Sequence, residues 1–506
     1  MKLDTKICAV ALLGIWMICF APAVFAQDDS TPPPSQQSDQ GAAPAATAPP
    51  ELNVENPPLS GLDEPQAEPT YGGRSYLIPG LQFSESADSN PSGAATKNTS
   101  ITAASRGLGS LDLQKIWKRS QLGLDYIGGD LYYAGPGFAN HSRNYQVHTF
   151  AGNERILWRT GQLTLRDSFD YLPQGSFGFN SFGGAGAFGS TFGGGIPGSG
   201  PATGLGAGMG GGGNTGSLSN PTFGGNQPRI SNAGIIDIVE QISPHSSITL
   251  AGAYDFTHFM NKSTAAFPVI DSQVSTGQIG FNRILTRKDQ VGFMYSFEEL
   301  HFPIPDSGTV EAHVWNGMYG RRITGRLNLV IAGGPKLIQI NNSPNNPAFV
   351  VLGPTSRRVS GDGRVLFHYM VTSRTNAQVL YTHSITAGSG FFAGANSDAM
   401  RVSLAHVFGR RWTGTTDAGY SHHSAIQTSL LGLGLNSNTY QYWYTGASLR
   451  RQIGQHFGAF MTYQFNNFGS GACSTNTGST AVCGHTVQQH AGVVGFDWHP
   501  RPLRLD

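Results

Sequence analysis

Charged side chains make up only 12% of the 506 residues, about half the share found in a typical soluble domain. The formal net charge is +1, so the basic stripe of a nucleic-acid binder is missing and no nucleic-acid partner is expected. After residue 26 there are 24 arginines and only six lysines. No stretch beyond that point approaches the ~20 consecutive apolar residues of a spanning helix, which excludes a bundle of transmembrane helices. Catalytic signatures are missing too: there is no Gly-x-Ser-x-Gly elbow and no His-Glu-x-x-His zinc motif. The chain is therefore not expected to be an enzyme, and it calls for no cofactor and no metal. A serine and histidine brought together on neighbouring strands would leave no linear signature, so a barrel hydrolase stands as the least favoured reading.

Cysteine is equally scarce, and where the four fall matters. Lys2 and Lys6 precede an apolar run, Ile7–Phe20, and Val24-Phe25-Ala26 offers small residues at cleavage-site positions. This is the pattern of a secretory signal spanning 1–26, with cleavage after Ala26, in preference to an uncleaved anchor. Cleavage removes Cys8 and Cys19 and leaves Cys473 and Cys483. An even pair, close in sequence and in an exported protein, favours a disulfide over two free thiols.

Residues 27–70 are rich in Pro, Ala, Gln and Ser and hold almost nothing that could form a core. They read as a disordered Pro-rich periplasmic tail: a spacer, or a docking segment for a periplasmic or cell-wall partner. Residues 71–107 form a pre-barrel segment, either a first strand over Arg74–Phe83 or a plug in the lumen. From there the pattern becomes regular. Ile248, Leu250, Tyr254 and Phe256 alternate with Thr249, Ala251, Ala253 and Asp255, and Gln162–Phe169, Val291–Phe297, Leu327–Ile331, Met400–Phe408 and Ala459–Phe465 repeat the arrangement. Apolar residues recurring at every second position describe strands, not helices.

The connections alternate in length. Short turns fall at Lys118-Arg119, Arg159–Gly161, Pro244-His245, Thr286–Asp289, Thr324-Gly325, Ser373–Thr375, Arg410-Arg411 and Ile453-Gly454, with longer polar loops between them. That asymmetry predicts an all-β fold: a closed antiparallel transmembrane β-barrel of 16 or 18 strands with short periplasmic turns and long extracellular loops, covering 108–499 and followed by a C-terminal tail, 500–506. Tyr126, Tyr132, Tyr133, Tyr171, Trp158, Trp315, Trp412, Tyr440, Tyr442, Trp443, Tyr444 and Trp498 cluster near strand ends, as the rings of two interfacial girdles do.

With its signal peptide, its turn and loop asymmetry, and segments such as Trp117-Lys-Arg-Ser-Gln-Leu-Gly-Leu-Asp-Tyr126 and Arg166-Asp-Ser-Phe-Asp-Tyr171, the chain resembles porin-like bacterial outer-membrane β-barrel proteins, in particular uncharacterised ones with a Pro-rich N-terminal tail. The resemblance implies residence in the outer membrane, contact with its lipid, and handling by the barrel-assembly machinery, which reads a terminal strand such as Val494, Phe496 and Trp498. In this chain His499–Asp506 follow that strand.

Candidate pore-lining residues are those opposite the apolar face: Arg166, Asp170, Asp255, Glu298, Arg364 and Arg401. A charge on the lipid face costs roughly 2 to 4 kcal/mol near the midplane, so a wet lumen is the cheaper place for it. If acids and bases stand on opposite walls, they set up a transverse field that sorts solutes by charge and dipole. The Gly- and Phe-rich loop 174–228 either folds inward to constrict the pore or stays at the surface. The favoured function is a channel for passive diffusion of small hydrophilic solutes or ions. The alternative is a polymer export conduit or surface anchor, and assembly as a homo-oligomer is compatible with either.

Overall fold

A computed structural model of the protein describes residues 58–60, 75–90, 101–134, 144–172, 229–260, 270–303, 308–342, 355–388, 392–426, 439–470 and 486–505. The chain divides into two units, Met1–Ala48 and Pro49–Asp506, and all the described residues belong to the second. The expected signal peptide with its expected cleavage after Ala26, the Gly-rich loop 174–228, and Cys473 with Cys483 lie outside the described residues.

The described residues form long antiparallel strands and no helix. The first quarter of the barrel comprises β1 (Tyr76–Asp88), β2 (Thr102–Ile116), β3 (Ser120–Ala134), β4 (Asn144–Leu157) and β5 (Gly161–Leu172). It continues through β6 (Arg229–Ser243), β7 (Ser246–Phe259), β8 (Ser272–Ile284), β9 (Asp289–His301) and β10 (Thr309–Thr324). Next come β11 (Leu327–Asn341), β12 (Thr355–Thr372), β13 (Thr375–Thr386) and β14 (Ala395–Val407). The wall is completed by β15 (Trp412–Ala425), β16 (Thr439–Ile453), β17 (Phe457–Ser470) and β18 (Thr486–Trp498), with a short β19 (Leu503–Arg504) after it.

Each strand pairs with its sequence neighbours, and β1 pairs with both β2 and β18, so the sheet closes on itself as an 18-stranded barrel. Of the two strand counts the sequence allowed, the larger is realised. Residues 71–107 supply β1 and the start of β2, so that segment enters the wall instead of the lumen and the barrel begins before residue 108. The stretch read as a C-terminal tail is also partly ordered: Tyr76 pairs with Arg504 and Leu77 with Leu503, and the Lys115 ammonium donates to the Leu505 carbonyl at 2.8 Å.

Polarity is inverted relative to a soluble protein. The side chains most open on the outside are apolar, among them Phe83, Leu250, Ile279, Phe293, Met461, Val494 and Phe496. Their strand neighbours on the other face, such as Gln82, Thr249, Gln278, Ser296, Asn316, Asn466 and Gln489, are buried and polar. An apolar cylinder wall around a polar interior is stable in hydrocarbon and aggregates in water, which places this barrel in an outer membrane.

The girdle expectation holds on the outer face at Tyr126, Tyr132 and Trp412, but not at Tyr133, Tyr440, Tyr442 and Tyr444, which point inward and are buried. The reason is register. Tyr440, Tyr442 and Tyr444 occupy alternate positions of β16 and share a face with Asn466 and Asp417, whose oxygens accept the Tyr442 and Tyr444 hydroxyls; Trp443 between them faces outward. Outer tyrosines toward the long-loop end bond histidines on the adjacent strand: Tyr126 to His148 at 2.9 Å, Tyr295 to His313 at 2.8 Å and Tyr463 to His490 at 2.8 Å.

Arginine introduced at Ile279, outward and midway along β8, is expected to destabilise the barrel by roughly 2 to 4 kcal/mol, and arginine at inward-facing Thr257 by less than about 1 kcal/mol. Equilibrium urea titrations of folding into phospholipid vesicles measure both. Equal costs would mean that the two faces are assigned incorrectly.

Candidate functional site

The strand register places all six candidate pore-lining residues on the inward face. Asp170 shares that face with Ser231 across β5 and β6, and Arg166 with Asn153 and Ile235. Asp255 pairs with Ala233 and Val274, Glu298 with Thr276 and Ala312, and Arg364 with Ala332 and Thr382. Arg401 lies between Leu380 and Gly419. Arg166, Arg364 and Arg401 sit near the middle of their strands, whereas Asp170, Asp255 and Glu298 lie toward the long-loop end.

The six do not converge on one point. Several cations on the wall instead meet an acid on an adjacent or nearby strand. The Arg401 guanidinium donates from Nε to Asp417 Oδ2 at 2.8 Å, and Tyr444 donates its hydroxyl to the other oxygen of the same carboxylate. Arg450 reaches Asp497 at 2.7 Å. The Lys336 ammonium, fully buried, lies 3.6 Å from Asp362, whose second oxygen accepts from Asn316 Nδ2 at 2.8 Å. Glu298 adds a second negative charge beside Lys336. On the other side of the barrel Arg229 faces Asp170 and Arg106 faces Asp88.

This arrangement differs from the transverse field that opposed walls would give. Arg166 and Asp170 share β5, and the strand half-way around the barrel, β14, carries Arg401 with Asp417 beside it. Acids and bases therefore alternate locally around the circumference. Sequence alternation identified Arg401 but not Asp417, Lys336, Asp362, Arg106 or Arg229. The signal was available for Asp417, which falls on the same parity as the apolar-to-polar alternation of β15. Lys336 follows Pro335 in a strand with no clear alternation and could not be assigned in that way. The adjacent pair His422-His423 splits across the wall, with His423 fully buried against Tyr440 at a ring separation of 4.3 Å.

At the long-loop end, Ala387, Ala393 and Ile426 form an apolar cluster with Leu300, Phe302, Val310 and Ile338 of the β9 to β11 region, while Phe392 packs on Tyr440, 5.4 Å between ring centres, on the β16 side. Gly394, at φ +84°, lies beside that wall: a Cβ there would be in ordinary contact with Ile426 Cδ1 at 3.6 Å and Phe302 Cζ at 3.8 Å. The β13–β14 connection thus covers part of the inner wall. On the outer face, a groove of about 610 Å³ runs across β3 to β7, lined by Leu124, Phe150, Gly152, Gly234 and Tyr254, with Asp167 at its edge.

No family model matches the chain, and no curated protein does. Among solved structures, the outer membrane protein opdK of Pseudomonas aeruginosa is similar over 85% of this chain and 100% of its own, at 12% identity and a TM-score of 0.39. Pseudomonas aeruginosa OpdQ is similar over 85% and 99%, at 10% identity and a TM-score of 0.39. OccK2 (OpdF) of the same organism, in complex with glucuronate, is similar over 85% and 98%, at 8% identity and a TM-score of 0.38.

Replacing Asp417 by alanine is expected to cost roughly 3 kcal/mol of barrel stability, because it leaves the Arg401 charge without its acid in a mostly buried site. The double change Arg401→Met with Asp417→Leu is expected to recover most of that loss. Urea midpoints of the variants in lipid vesicles test this, and a single-variant cost as small as that of the double would show that the pair contributes nothing.

Proposed function

We propose that the protein is a passive channel for small hydrophilic solutes across the outer membrane, with little preference for the sign of their charge. The closed 18-stranded wall supports this reading, since barrels of this size enclose more space than inward side chains alone can fill. The observation that carries it is the run of paired charges on the inner face: Arg401 with Asp417, Arg450 with Asp497 and Lys336 with Asp362. Such a wall keeps the lumen wet while its fields cancel within a few ångströms, so a polar solute is hydrated along its path and no single sign is held tightly. By the usual orientation of these barrels, the short turns face the periplasm and the long loops the exterior. The arginines at the short turns, such as Arg119, Arg159, Arg287 and Arg374, then stand where lipid phosphates can accept their hydrogen bonds.

Purified protein in planar bilayers is expected to give stepwise conductance, with a reversal potential near zero under a KCl gradient. Asp417→Asn, which keeps the shape but removes the anion beside Arg401, is expected to shift that potential toward anion preference. A silent bilayer would overturn the channel reading, and strong selectivity in the unmodified protein would overturn the account of the wall.

A further inference from the structure

Pro58–Ser60 is the only described part of the Pro-rich segment, and it lies on the inner wall. Ser60 is fully buried. Its backbone N–H and that of Leu59 both donate to Asn282 Oδ1 at 3.0 Å, and Asn282 Nδ2 donates to Ser60 Oγ at 2.6 Å. The same hydroxyl meets Thr249 Oγ1 at 2.6 Å. Leu59 packs against Met294, Met318 and Ala332.

The wall is shaped to receive this tripeptide. Asn282 turns both ends of its amide to it: the oxygen accepts from two backbone donors and the nitrogen donates to one hydroxyl. Two inward positions that would otherwise carry a side chain are glycine. A Cβ at Gly280 would lie 2.2 Å from Ser60 Oγ, and one at Gly320 would lie 3.0 Å from Leu59 Cδ2. Thr249, Asn282 and Gly320 all lie within a few residues of the short turns, so the site is at that mouth of the barrel.

We propose that the inner face of β7 to β11 at the short-turn mouth is a peptide-binding cleft, selective for an uncharged segment with an apolar side chain followed by serine, and that its ligand is the chain's own Pro58–Ser60. The cleft reads the backbone through Asn282, the hydroxyl through Thr249 and the apolar side chain through the two methionines. It holds Pro58–Ser60 against the inner wall, a contact that a tail serving only as a spacer would not need. The inference does not depend on solute passage: the cleft would bind the segment in a conducting or a closed barrel alike.

Cross-linking in the full chain tests it without reference to conductance. With Cys473 and Cys483 replaced by serine, Ser60→Cys is combined with Thr249→Cys, whose side-chain atoms are close enough for a disulfide of about 2.0 Å. The control combines Ser60→Cys with Thr257→Cys, eight residues along the same inward face and roughly 26 Å away at ~3.3 Å per residue. Mild oxidation of outer membranes is expected to link residue 60 to 249 and not to 257. Adding Asn282→Ala, or separately Gly280→Ala, is expected to slow the 60–249 link at least about tenfold while the barrel keeps its heat-modifiable mobility on gels. Equal linking to 249 and 257, no link to 249, or a rate unchanged by both wall substitutions would overturn the proposal.

Discussion

The structure depends on one constraint: inside hydrocarbon, every backbone N–H and C=O must find a partner in the chain itself. A sheet satisfies this only when its first and last strands pair, so the contact between β1 and β18 is the seam on which the other strands rely. It runs from Leu81 opposite Trp498 to Asp88 opposite Ala491, shorter than the β1–β2 pairing that starts at Tyr76. The chain compensates at both ends of the seam. Beyond Asp88, Ser89 exchanges hydrogen bonds with His490, and Asp88 accepts from the Gln489 amide. Below Leu81, the residues after Trp498 return as β19 to pair with Tyr76 and Leu77. Leu503 and Arg504 thus pair with the first two residues of the part of β1 that β18 does not reach.

Closure then dictates where charge goes. With lipid outside, ionised side chains are driven inward, and on the inward face their nearest neighbours are one strand away, about 5 Å, whereas the opposite wall is several times more distant. Coulomb energy falls with distance and with the water between, so neighbouring strands decide the pairing and the far wall hardly contributes. Arg401 with Asp417 and Lys336 with Asp362 follow directly from that difference in range. The inner tyrosines extend the same logic, since Tyr444 brings its hydroxyl to the carboxylate that Arg401 already holds.

Strand positions and turns were legible in the sequence because they depend on local period and turn chemistry alone. Lys118-Arg119, Pro244-His245 and Ile453-Gly454 all fall in or at the edge of the short connections seen between strands. For the candidate wall residues alternation assigns only a face of the sheet, and the register puts Arg166, Asp170, Asp255, Glu298, Arg364 and Arg401 on the polar one. Their partners were not legible, since pairing Arg401 with Asp417 requires the register between β14 and β15, which no single strand encodes. Tyr440, Tyr442 and Tyr444 were misplaced because aromatic residues near strand ends suit both an interfacial girdle and a lumen wall, and parity, not composition, separates the two. Pro58–Ser60 was hidden by the opposite problem: three residues inside a Pro-rich stretch carry no periodicity, and their place is fixed by Asn282, more than two hundred positions away.

The inner face breaks the polar rule most extensively on one stretch of the wall. From β8 to β11 the inward positions include Val274, Leu300, Val310, Ala312, Val314 and Ile338, all buried. Apolar surface facing a wet lumen is unfavourable by about 25 cal/mol per Å², so this stretch gains by being covered. Two segments cover it: Ala387 and Ala393 at the long-loop end, and Leu59 against Met294 and Met318 at the other. Charge and amide concentrate on the inward positions of β1 to β6 and β14 to β18, where Arg106, Asp170, Arg401, Gln464 and Gln489 reside, although Phe392 also packs on the tyrosines of β16 there. Apolar residues on the inward face of β8 to β11 thus position the segments that lie against it, Leu59 at one end and Ala387 with Ala393 at the other.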